Sequence, residues 1–210
     1  MSLKVKSLYA ENLLRNSYPK NSGGSIINPR YILTAAHCVA CRTILDTAVV
    51  LGENIVKVNM ETDFQLLSEI LVFPKYKRGV KQNLKENPDI ALLKLEKALN
   101  YGPNINAICL PSNPSDLYED KTMTIAEWGV TNKLKTSHKL MKADVKVYPN
   151  NKCKEFYGYG FLKRLRFAVQ NNIKLKSFSF HLCTYSKDRN SHCGGDSGGP
   201  LFMTDWQDGR

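Results

Sequence analysis

The stretch Cys193-Gly194-Gly195-Asp196-Ser197-Gly198-Gly199-Pro200 constrains this chain more than any other, because nearly every position in it has its own chemical reason. Ser197 is a candidate nucleophile. The flanking glycines let the backbone adopt positive φ and approach another group closely, which residues with a Cβ do only at a cost. A turn of this kind can aim two backbone N–H groups, those of Gly195 and Ser197, at a single point. An oxyanion that develops when a serine attacks a carbonyl would be held there, and one such donor typically lowers a barrier by ~3–4 kcal/mol. Pro200 ends the turn and leads into the apolar run Leu201-Phe202-Met203. A lone Gly-x-Ser-x-Gly is equally compatible with an ordinary surface turn, so the chemical reading requires partners elsewhere in the chain.

A serine hydroxyl is a poor nucleophile at neutral pH and needs a base, usually histidine, with a carboxylate to orient it. The chain has four histidines, and His37 lies in Thr34-Ala35-Ala36-His37-Cys38 directly after the apolar run Tyr31-Ile32-Leu33. Asp89 opens Asp89-Ile90-Ala91-Leu92-Leu93-Lys94-Leu95, whose apolar core reads as a buried strand. Alone, His37 reads as a core or surface histidine and Asp89 as a strand-entry cap. The three motifs together, in the order His, Asp, Ser, resemble the trypsin/chymotrypsin-type serine proteases. The resemblance implies a triad of His37, Asp89 and Ser197, an oxyanion hole from the N–H groups of Gly195 and Ser197, and hydrolysis of protein or peptide substrates through an acyl-enzyme. It implies no metal and no organic cofactor.

The fold it implies is all-β: two packed antiparallel six-stranded β-barrels in one protease domain spanning 1–210, with an N-terminal barrel over 1–105 and a C-terminal barrel over 106–210. A length of 210 residues with 42% hydrophobic content suits that size. Residues 22–38 read as two apolar strands joined by an Asn28-Pro29 turn, and Ala48–Glu53 and Ile70–Tyr76 as further β-rich segments. The stretch Asn104–Pro111 resembles the connector between the barrels. Met123–Gly129 is similar to the Trp-Gly strand that opens the second barrel. Many relatives have one half of a disulfide at each of Met123 and Met203, and a paired change to two pliable apolar side chains is expected to pack still.

Six cysteines point to an oxidising compartment, although six allow fifteen pairings and the sequence chooses none of them. The resemblance implies a Cys153–Cys183 bridge, closing a loop of roughly thirty residues and contributing about 3–4 kcal/mol. Relatives have cysteine where Ser22 stands, so Cys38 loses its usual partner; a strained Cys38–Cys41 bridge and two free thiols both remain open. A metal reading of Cys38-x-x-Cys41 is weak, since no second ligand pair has zinc-finger spacing. Cys109 occupies a position that in relatives commonly bonds to a pro-segment.

The residue six before the nucleophile, Ser191, corresponds to the floor of the family's primary specificity pocket, and an uncharged floor is similar to one that accepts aromatic or large apolar side chains. Asp196 corresponds to the carboxylate that pairs with the amine freed by activation cleavage. The start Met1-Ser2-Leu3-Lys4-Val5-Lys6 has neither a secretory apolar core nor an Ile-Val-Gly-Gly mature start, and the end at Arg210 precedes the family's last strands and terminal helix. These residues are therefore expected to be part of a longer secreted precursor, zymogen-like and inactive as they stand, with the second barrel incomplete. The rival expectation is a non-catalytic protease homologue acting as a binding or regulatory protein.

A formal charge of +11 is read as solvated lysines rather than as a nucleic-acid surface. The loop Tyr159–Lys176 interleaves basic and apolar residues and is expected to be a solvated insertion with a few apolar anchors. No run of about 18 apolar residues exists, so no helical membrane span is expected, and the reading is of a monomer.

Overall fold

The computed structural model describes residues 8–10, 20–51, 64–79, 87–113, 116–128, 139–149, 182–185 and 197–203. Among these the structure is almost wholly β, the exception being the one-turn helix α1, Ala36–Val39. The chain divides into two compact units, one of residues 1–112, 125–143 and 192–202, the other of 113–124, 144–191 and 203–210.

Seven short strands build the first sheet: β1 (Leu8–Ala10), β2 (Lys20–Ser22), β3 (Ser25–Asn28), β4 (Tyr31–Thr34), β5 (Thr47–Val50), β6 (Phe64–Val72) and β7 (Ala91–Leu95), in the order β2-β1-β5-β6-β7-β4-β3. The β3–β4 hairpin forms where the sequence says it should. Pro29 fixes φ in the turn, and the Asn28 side-chain oxygen accepts the Arg30 N–H at 2.8 Å, a local bond for which asparagine is suited. Period-two patterning then sets the register. In β4, Ile32 and Thr34 face inward, and in β7 Ala91, Leu93 and Leu95 do. The antiparallel pairing of Ile32 with Leu93 and Thr34 with Ala91 lays these inward residues side by side. A one-residue slip would turn the whole set to solvent.

One core joins strands that are far apart in the sheet order. Ile26 of β3, Val49 of β5, Leu67 of β6 and Leu93 of β7 lie in the same buried cluster with Ala36 and Val39 of α1. A flat sheet could not bring β3 and β5 to a single cluster, so this sheet is curled around it. The curl is helped by a bulge in β6 between Leu67 and Glu69, which adds local twist. Beyond β7 the connector runs without strand, tied to β3 where the Ile108 N–H donates to the Ile26 carbonyl at 2.8 Å.

Four more strands, β8 (Thr122–Glu127), β9 (Met141–Val147), β10 (Thr184–Tyr185) and β11 (Leu201–Phe202), form a second sheet in the order β10-β9-β8-β11. Thr184 pairs with Val147 and Tyr185 with Lys146. Val145 and Val147 are buried, and the Asp120 N–H to Val147 carbonyl and Val147 N–H to Lys121 carbonyl bonds, 3.0 and 2.9 Å, continue the pairing into the turn before β8. Met123 is buried and Met203 half-buried. No helix of the described residues is long and apolar enough to cross a membrane.

Candidate active site

The β4–β7 ladder brings the first two site residues together. Thr34 pairs with Ala91, so continuing that antiparallel register by two residues sets Asp89 beside the start of α1. There one carboxylate holds His37 at two points. Asp89 Oδ1 accepts the His37 backbone N–H at 2.8 Å, and Asp89 Oδ2 lies 2.6 Å from the imidazole Nδ1. The first bond fixes where the residue starts and the second fixes the ring. Because Nδ1 faces a carboxylate it carries the proton, and the neutral ring presents the Nε2 lone pair outward. The His37 side chain is 41% exposed and Asp89 18%, so the acceptor nitrogen is open to a reacting group while its orienting carboxylate is mostly covered.

Two residues before Asp89 in the chain lies Asn87, which is only 3% exposed. Its amide oxygen accepts the Lys77 N–H and its Nδ2 donates to the Lys77 carbonyl at 3.0 Å. A single side chain thus satisfies both backbone groups of a residue ten positions earlier and closes that loop just ahead of the carboxylate.

Ser197 arrives from far along the chain, and glycine contact secures it. The Gly23 N–H donates to the Ser197 carbonyl at 2.7 Å, while the Thr34 hydroxyl donates to the Gly23 carbonyl at 2.8 Å. Gly198 has φ of 81°, and a Cβ there would lie 2.4 Å from Thr34 Oγ1 and 2.6 Å from the Gly23 carbonyl oxygen. On the other side, a Cβ on Gly23 would lie 2.5 Å from Gly199 Cα. The two backbones pass so closely that only glycine fits, and the strand that leads to His37 is the surface against which the serine turn is seated. Ser197 is exposed, and among the described residues no hydrogen bond joins its Oγ to His37 Nε2.

Cys38 stands between the two segments. Its Sγ is 3.5 Å from His37 Nε2 and 3.7 Å from the Ser197 carbonyl oxygen. Burial pushes its thiol above the ordinary 9.0, with Asp89 adding to the rise and hydrogen bonds to the Ser22 and Thr34 side chains opposing it. Ser22 therefore faces Cys38 across the position where the sequence resemblance expected a lost bridge. Cys38 and Cys41 are both free thiols, which resolves the alternatives the sequence left open. Arg78 Nη1 donates to Cys41 Sγ at 2.8 Å. Tyr76 borders the same group; burial first and then the Asp89 charge raise its phenol above 10.0, with Arg78 opposing.

Gly195, Asp196, Ser191 and Cys153 lie outside the described residues. Cys183 is disulfide-bonded, and Cys109 is a free, exposed thiol. Among the described residues no group of three or more His, Cys, Asp or Glu side chains is placed to hold a metal ion. Asn87, Tyr76 and the contact of Cys38 with Nε2 were not anticipated from sequence. An Asn-Pro-Asp run before a buried strand is the one signal that could have singled out Asn87.

The sequence matches the Trypsin family model over residues 9–207, and the chain belongs to that family. It is 28% identical to the Spaetzle-processing enzyme of Drosophila melanogaster over 219 residues, covering 96% of this chain and 50% of that protein. It is 32% identical to Venom serine protease 34 of Apis mellifera over 193 residues, covering 90% and 42%, and 30% identical to Melanization protease 1 of Drosophila melanogaster over 209 residues, covering 90% and 48%. The chain spans about half the length of these relatives or less. Among solved structures it is similar to scabies mite inactivated protease paralogue S-D1, with a TM-score of 0.71 at 20% identity, over 96% of this chain and 76% of that one. That likeness establishes the chymotrypsin-like all-β fold.

Proposed function

We propose that the chain is the protease domain of a serine endopeptidase. The observation that carries this reading is the two-point hold of Asp89 on His37, which leaves Nε2 as an oriented acceptor beside the strand that seats the Ser197 turn. In the proposed cycle Ser197 Oγ turns to Nε2 and attacks a peptide carbonyl as His37 takes its proton. Asp89 stabilises the imidazolium, and the N–H groups of Gly195 and Ser197 receive the oxyanion. His37 then protonates the leaving amine, and water releases the acyl group by the same route.

The finer parts of this proposal rest on the family. Asp196 pairs with an amine freed by activation cleavage, Ser191 forms an uncharged pocket floor, Cys153 is the partner of Cys183, and Cys109 links to a pro-segment. Substrates are proteins or peptides, and the compartment is extracellular, in keeping with a bonded Cys183.

A second reading, a non-catalytic homologue that binds rather than cleaves, is favoured by one observation: among the described residues Ser197 Oγ makes no hydrogen bond to His37 Nε2. A solved relative of the same fold is described as an inactivated protease. Labelling with a fluorophosphonate probe separates the readings, since the probe phosphonylates only a serine whose hydroxyl is activated by a base. The enzyme reading expects one label on Ser197 of the activated protein, absent in Ser197→Ala and strongly reduced in His37→Ala. An unlabelled, folded wild-type protein favours the binding reading.

A further inference from the structure

His37 presents one lone pair to the site, at Nε2, because Nδ1 is committed to Asp89 at 2.6 Å. Among the described residues, two groups can donate to that lone pair. One is the Ser197 hydroxyl, which makes no such bond among the described residues. The other is the Cys38 thiol, whose Sγ lies 3.5 Å from Nε2, within reach for a sulfur donor. The thiol's other contacts fix it there: the Ser197 carbonyl at 3.7 Å on one side, and the Ser22 and Thr34 side chains on the other.

We propose that Cys38 is a further residue of the active site, whose S–H occupies the His37 Nε2 lone pair in the resting chain and must be displaced before Ser197 can hand its proton to the ring. This rests on the serine endopeptidase reading for its kinetic consequence, but not for the bond itself. The step is a simple exchange of donors: the S–H···Nε2 contact breaks, the Ser197 O–H···Nε2 bond forms, and no proton changes owner until the serine attacks. The displaced S–H retains an acceptor in the Ser197 carbonyl oxygen, so exchange leaves no donor stranded. Because Cys38 follows His37 directly in α1 and is bonded to no other cysteine, its position is set by the helix and by the same serine turn it competes with.

The test uses the full chain with 15N-labelled histidine, the His37 ring being assigned by its loss in His37→Gln. The expected result is that Cys38→Ala moves the Nε2 resonance toward that of an unbonded imidazole nitrogen, while Ser197→Ala leaves it in place. In the activated protein Cys38→Ala is expected to raise the rate of fluorophosphonate labelling of Ser197 several-fold. A resonance that moves in Ser197→Ala and not in Cys38→Ala overturns the proposal, as does an unchanged labelling rate in Cys38→Ala. If Cys38→Ala does not fold, the Ser197→Ala resonance alone decides, in the same sense. If neither wild type nor Cys38→Ala is labelled, the catalytic reading fails and the nitrogen resonances still decide who holds Nε2.

Discussion

At the scale of single residues, Asp89 sets both the position and the tautomer of His37. Replacing Asp89 with Asn keeps an acceptor for the His37 N–H but faces the ring with an amide donor, which forces the proton onto Nε2. The kcat of Asp89→Asn is expected to fall by about the 10⁴ factor known for the reference triad of this family, with KM little changed, in steady-state assays. Cys38 makes a prediction about pH. Its thiol is raised from 9.0, so the folded state keeps the proton more tightly than the unfolded state; the stability this gives is complete below 9.0 and is lost as pH rises through the folded value. Thermal melts between pH 8 and 10.5 should therefore show a steeper alkaline loss in wild type than in Cys38→Ala, and parallel curves would contradict the assignment. His37, Asp89 and Ser197 were legible in the sequence because each sits in a motif tied to a strand end. Cys38's position was not, because the absence of a bridging cysteine at Ser22 says that a thiol is free and nothing about the direction in which α1 points it.

At the scale of elements, the site depends on the β4–β7 ladder and on the bond that seats the Ser197 turn against Gly23. Leu93 is fully buried at the centre of β7, so Leu93→Ala is expected to cost about 3 kcal/mol in urea unfolding, and a loss below about 1 kcal/mol would show that the sheet can collapse around it. Asn87→Ala leaves the Lys77 N–H and carbonyl without their side-chain partner and is expected to cost about 2 kcal/mol. Gly198→Ala combines a positive φ with contacts on backbone atoms that cannot rotate away, and a destabilisation of about 2 kcal/mol or more is expected. The β3–β4 hairpin and β7 were readable from alternation and turn chemistry. The start of β6 was not, since Phe64, Leu66 and Ser68 face solvent and only the later run Ile70-Leu71-Val72-Phe73 looks like a strand in isolation. β1 escaped for another reason: Leu8–Ala10 is three residues long and joins β2 and β5 through backbone pairing, which carries no residue pattern.

At the scale of the whole molecule, the chain has a trypsin-family fold with one cysteine bonded and three thiols free among the described residues, Cys183 against Cys38, Cys41 and Cys109. Peptide mapping under non-reducing conditions should recover Cys153 and Cys183 in one linked peptide pair; linkage of Cys183 to Cys193 would contradict the proposed pairing. The family was legible because the motifs around His37, Asp89 and Ser197 occur together and in its order; the close approach of Gly23 to Gly198 and Gly199 was not read from the sequence. The Asn87 bonds to the Lys77 backbone were not legible either, because a side-chain amide that pairs with a backbone ten residues earlier has no spacing of its own. Fluorophosphonate labelling of the activated protein followed by mass mapping decides whether Ser197 is an activated nucleophile. A single adduct on Ser197 is expected in wild type, lost in Ser197→Ala and nearly lost in Asp89→Asn. A folded wild-type protein with no adduct, or an adduct that persists at full rate in Asp89→Asn, would contradict it.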